Sequence, residues 1–253
     1  MASKYFTVEK ALTVAASDQH TAFAQSDLVV DWTAIQIPRG ASKLTSVTIL
    51  VRPKGDSSPT INNSALDILF SKTNTVSLGT VNVNLDHRPN NDFIGAIEID
   101  SANYASGALQ STSVATIGND IGASTPPLIL QGDITTGDNV GFDTIYVAVV
   151  ARDANLDFTS INVINDTDIN STQVTDVVMA GSSMDVREHF AVGDVLHAQD
   201  DILLGTVASI GNSATGPITL TSATSGAGDA TTVTNGDTIY NINPIRLILG
   251  FER

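Results

Sequence analysis

Short runs in which apolar and polar residues alternate, each cut after roughly eight to twelve residues by Gly, Asn, Asp or Pro, fill most of this chain. A run of that kind buries one face and leaves the other to water, which is what antiparallel sheets stacked on a common core require. The chain therefore reads as all-β. Its 253 residues can form one large domain or two smaller ones, and either buries a core without disulfides or metal. Aromatic residues make up only 5% of the chain, so that core must rest on Val, Ile, Leu and Ala.

Residues 28–37 carry strand character and end at Pro38-Arg39-Gly40; residues 43–52 follow as a second strand, so the two read as a hairpin-like pair. In 65–70, Leu66, Ile68 and Phe70 share one face and Asp67 takes the other. Residues 78–85 repeat the alternation, and 93–99 resume it after a polar break. The Ala-, Ser- and Thr-rich stretch 101–127 reads as a surface excursion. Residues 144–151 are almost continuously apolar, the mark of a central strand buried on both sides. A polar stretch follows, and then the short, closely spaced strands 192–198, 202–210 and 217–221 fit a small closed barrel. The apolar end 245–251 seals that barrel, returns to the first domain or docks on a partner. The division expected is 1–25 an N-terminal arm or edge strand, 26–160 a sandwich, 161–172 a linker and 173–253 a small barrel, with the boundary near residue 170.

Lys and Arg total 12 against 27 Asp and Glu, a net charge of -15 that repels phosphate backbones, so no direct nucleic-acid partner is expected. The closest basic grouping, Arg39, Lys43, Arg52 and Lys54, reads as solvated strand ends. The absence of cysteine excludes disulfides, thiolate metal sites and thiol nucleophiles. The start is too polar for a signal peptide, and no apolar run reaches the ~20 residues that span a bilayer, so synthesis in a cytoplasm and no membrane partner are expected. Phosphate-cradling motifs are missing, and 211–216 reads as a plain loop. His189 and His197 stand eight apart with no metal-binding helix pattern; His20 and His87 stand alone. Asp166-Thr167-Asp168-Ile169-Asn170 opens like a calcium loop, but Ser171 and Val177 fall where glycine and glutamate belong. The reading is therefore no enzyme, with no catalytic, cofactor or metal residue assigned.

The stretches 32–40, 51–56 and 87–93, with the ending 236–252, resemble a type of tailed-bacteriophage virion structural protein. What the resemblance implies is a capsid decoration, or cement, protein on the virion surface, a homotrimer whose partner is the major capsid protein. It would bind the outer shell and bridge neighbouring capsomers to stabilise the head. The same type also serves in tails, baseplates or fibres, with a receptor- or glycan-binding role. The fold expected is an N-terminal β-sandwich, jelly-roll-like, followed by a small C-terminal β-barrel.

Overall fold

A computed structural model describes residues 5–54, 61–85, 91–109, 112–118, 128–130, 133–134, 142–159, 161–162, 167–168, 173–174, 185–198, 201–214, 216–221, 232–233 and 238–253. The protein is all-β, built of several antiparallel sheets. In chain order the first ten strands are β1 (Tyr5–Leu12), β2 (Leu28–Pro38), β3 (Ser42–Val51), β4 (Leu66–Ser71), β5 (Phe93–Ile99), β6 (Tyr104–Leu109), β7 (Thr112–Gly118), β8 (Ile129–Leu130), β9 (Asp133–Ile134) and β10 (Phe142–Ala151). Then come β11 (Ile161–Asn162), β12 (Thr167–Asp168), β13 (Gln173–Val174), the one-turn helix α1 (Val186–His189), β14 (Val195–Ala198), β15 (Leu203–Ser213), β16 (Gly216–Leu220), β17 (Thr232–Val233), β18 (Thr238–Asn241) and β19 (Ile245–Glu252).

The first sheet runs β1-β19-β3-β7-β6 with β8 beside β3, and the second runs β2-β10-β4-β5 with β9 beside β10. Their inner faces share one core. Leu44, Val47, Ile49 and Val51 of β3 and Ile245, Leu247, Leu249 and Phe251 of β19 enter it from one side. Ile35 and Ile37 of β2, Leu66, Ile68 and Phe70 of β4, and Ile145, Val147 and Val149 of β10 enter from the other. This is a sandwich. As expected, β10 is central, between β2 and β4, and Asp67 lies opposite the buried face of β4.

One detail of β3 explains how it buries both Leu44 and Val47, which strict alternation would put on opposite faces. Gly250 pairs with Ser46 and Phe251 with Leu44, so Thr45 is left over as a β-bulge that resets the phase. The Thr45 hydroxyl donates to the Gly250 carbonyl at 3.0 Å. A Cβ at 250 would crowd the Ser46 hydroxyl, which would have to turn aside to make room.

Several expectations change. Of the three places expected for the last strand, the one found is the return to the first unit and not the seal of the second: β19 lies between β1 and β3, pairing Tyr5↔Glu252 through Leu12↔Ile245 on one side and Ile245↔Val51 through Glu252↔Lys43 on the other. A central strand loses all its backbone polar groups to neighbours, which is why so apolar a segment fits there. The same pairing makes β1 the edge strand of the first sheet, the second of the two alternatives expected for the start of the chain. The pair β2 and β3 is no hairpin, because the turn at Gly40, with φ of +100°, carries the chain across the core from the second sheet to the first. Residues 78–85 form no strand: Asn82 sits at φ +57°, and its side-chain amide donates to the carbonyls of Asp18 and Thr21 at 2.8 and 3.1 Å. Within 101–127, the described residues include the β6–β7 hairpin; 119–127 lie outside the described residues.

The second unit is thus an insertion between β10 and β19. Its strands run β11-β18-β14-β15-β16-β13, with β12 paired to β17, over a core that includes Val186, Phe190, Leu196, Leu204, Val207, Ile218 and Ile239. The path is open: among the described residues β11 and β13 do not pair, so the closure expected of a barrel is not seen. Residues 161–162 and 167–168, expected in a linker, are strands of this unit. Most of the calcium-like opening, Asp166, Ile169 and Asn170, lies outside the described residues, as does His87.

Candidate interaction surfaces

The two units meet along a polar seam. Arg52, at the end of β3, sends Nη2 to Asp194 Oδ1 at 2.6 Å, while Asp194 Oδ2 accepts the Ala191 amide at 2.8 Å. Gly193, at φ +93°, completes that turn, and its amide donates to the Val207 carbonyl at 2.8 Å. The turn is therefore tied both to its own sheet and to the sandwich. Arg52, expected as a solvated strand end, is the cation that latches the units. Between them lies a cleft of about 110 Å³ bounded by Leu50, Arg52, Thr112, Val192, Pro244 and Arg246.

A second set of contacts lies along the short 3-10 turn Ala16–Gln19. The buried Gln19 amide donates to the carbonyls of Val14 and Asn241 at 2.8 and 3.0 Å, and Val14 N donates to Ile242 O at 2.9 Å. Asp201 Oδ1 accepts the Ser17 amide at 3.2 Å. Burial pushes the Asp201 carboxyl up, but its hydrogen bonds from Ser17 and Ala16 outweigh that and hold it below the usual range. Asp18 is raised, by burial first and by the charge of Asp201 second, with His20 opposing. Burial also depresses His197, against a smaller opposing pull from Asp201. His189 is buried in α1 and His197 lies on β14. Among the described residues no group of three or more His, Asp or Glu side chains is placed to hold a metal ion, and no helix is long and apolar enough to cross a membrane.

The two outer faces of the sandwich differ. Over the second sheet, Leu28 of β2 and Ala148 and Val150 of β10 pack against Leu78, with Trp32, Leu69, Val81 and Leu85 around them. The irregular segment 78–85 is the cover, anchored by Leu28 N to Val83 O at 3.0 Å and Asn82 N to Leu28 O at 2.8 Å. The first sheet instead presents cross-strand rows outward. The pairings align Thr7, Gly250, Ser46 and Gly118, then Glu9, Ile248, Thr48 and Thr116, then Ala11, Arg246, Leu50 and Val114. Thr48 and Thr116 hydrogen-bond across the strands at 2.9 Å. The charged side chains pair off: Arg246 with Glu9 at 2.8 Å and Lys43 with Glu252 at 3.3 Å.

Comparison of the chain with protein-family models, with curated proteins and with solved structures finds no match in any of the three.

Proposed function

We propose that this chain is a structural component of a bacteriophage particle, a capsid decoration protein that binds the outer shell of the head and bridges neighbouring capsomers. A bridging protein needs separate adhesive surfaces on one stiff body, and that is the observation that carries the reading. Exposed apolar side chains stand on both units, Tyr5 and Ile129 on the sandwich and Ile202 and Leu203 on the insertion. The Arg52–Asp194 pair and the return of the chain through β19 join the two units. A shell pressed outward by packed DNA resists rupture when each capsomer boundary carries extra interface, and several modest contacts on one rigid unit multiply through effective concentration. The net charge of -15 keeps such a protein off the DNA. A jelly-roll-like sandwich with a small barrel-like unit, assembled as a homotrimer on the major capsid protein, is the finer architecture that goes with this reading.

In this scheme Ile202 and Leu203 meet the shell. The test is co-sedimentation of the purified protein with emptied phage heads, followed by heating of the decorated and bare heads. Binding that raises the rupture temperature, and is lost in an Ile202→Asp/Leu203→Asp variant, is the expected result. Binding to tails alone, or no binding to any particle, would sink the proposal.

A further inference from the structure

We infer that the outer face of the first sheet is the surface through which copies of this chain bind one another. The inference rests on the multi-copy part of the reading above and not on the shell. The three most exposed large apolar side chains among the described residues, Tyr5 at 72%, Val192 at 66% and Ile129 at 57%, all border this one face. Tyr5 and Ile129 stand at opposite ends of a single cross-strand row, Tyr5↔Glu252↔Lys43↔Ile129. Val192 overhangs the far end, where the turn of the inserted unit rises beside Leu50 and Arg246. The result is a floor of cross-strand rows with an apolar rim and the turn of the inserted unit along one side.

The composition of the floor says what can occupy it. Thr7, Ser46 and Gly118 are small, so another surface can approach the strands closely there, while Gly250 lies beneath the Ser46 and Thr45 side chains. A chain carrying -15 repels its own copies wherever acid is uncompensated. Here Glu9 is matched by Arg246 and Glu252 by Lys43, so the described side chains of the face carry no net charge. A basic partner would gain nothing from such a surface, whereas a second copy meets no repulsion there. Rows ~6.8 Å apart on strands ~4.8 Å apart give a plan area of about 500 Å². The rim and the turn raise this toward the ~800 Å² that each side contributes to a stable contact.

The experiment needs no phage particles. Light scattering behind a sizing column is expected to give a multiple of the 26.4 kDa chain mass. A Thr48→Lys/Thr116→Lys variant, which places unpaired charge mid-floor, is expected to weaken association at least ~10-fold and elute as monomer, with an unchanged circular dichroism spectrum. Because the chain has no cysteine, single-cysteine labelling gives a second readout that does not depend on the lysine variant folding. Thr116→Cys is expected to be protected from a bulky maleimide in the wild-type-like oligomer, and Ser209→Cys on the inserted unit is expected to react freely. A monomeric wild type, an oligomer that survives both lysines, or equal labelling at the two cysteines overturns the inference. The Ile202→Asp/Leu203→Asp variant separates the two proposals: it should lose heads while keeping its oligomer.

Discussion

Over the second sheet, Leu28, Ala148 and Val150 lie beneath Leu78, sealed by a segment of the same chain. Over the first, the corresponding outward positions are Thr48, Thr116, Ile248 and Leu50, and no such cover was found among the described residues. The strands carry the mark of that difference. A strand covered on both sides can be apolar throughout, as Val147-Ala148-Val149-Val150 is, whereas the outward positions of the first sheet mix polar and apolar side chains, Thr48 and Leu50 on β3 and Thr116 and Val114 on β7. The lesson is that a sandwich can complete its second face in two ways: with its own loop, at the expense of ordering that loop, or with another molecule.

If the cover is part of the fold and the bare face is not, substitutions should separate stability from association. The largest effect is expected from Leu78→Ala, which hollows out the covered face and should cost about 2–5 kcal/mol in urea unfolding while leaving oligomer mass unchanged. A loss below ~1 kcal/mol would mean that the cover contributes little. Next comes Asn82→Ala. It removes the amide bonds to Asp18 and Thr21 and forces a residue with no αL preference into φ +57°, for about 1–2 kcal/mol; Asn82→Gly should recover part of this.

Smaller again is the response of the seam to mild acid. Burial depresses His197, so the unfolded chain takes up a proton there that the folded chain resists. Stability should be steady above the ordinary imidazole range and fall as pH drops through about 6.5. Asp201, held low by its bonds from Ser17 and Ala16, extends the loss into the carboxylate range, while Asp18, raised by burial, opposes it there. Melting temperature followed from pH 7.5 to 5.5 (about one unit either side of the ordinary imidazole value) should show the fall, and His197→Gln should flatten it. An unchanged slope in that variant would assign the effect elsewhere. The smallest change in stability is expected from Thr116→Lys on the bare face, within about 0.5 kcal/mol by chemical denaturation, although association weakens.

Much of the fold could be read before any coordinates. The phase of Leu66, Ile68 and Phe70 named the buried face of β4, and the unbroken apolar run of β10 marked it as central, because side-chain periodicity reports burial directly. The segment 78–85 misled because its alternation is equally compatible with a loop that drops Leu78 onto a sheet and turns outward at Asn82. The seam was not legible: Arg52 and Asp194 are 142 residues apart, and neither sits in a motif. The bare face was half legible. Its outward residues follow from alternation, but the bulge at Thr45 had to be seen before Lys43 could be placed on the same side as Thr48.

The sequence by itself determined that this chain is all-β, where many of its strands lie, and which of their faces are buried, because those properties depend on the order of apolar and polar side chains within one strand. Only the tertiary structure decided that the last strand returns between β1 and β3, that Gly40 turns a corner between sheets, and that 78–85 covers the outer face of the second sheet, with no such cover over the first among the described residues. Strands choose partners through backbone groups that every residue but proline offers alike. The choice is settled by how the whole set of faces packs around a shared core, which no single segment records.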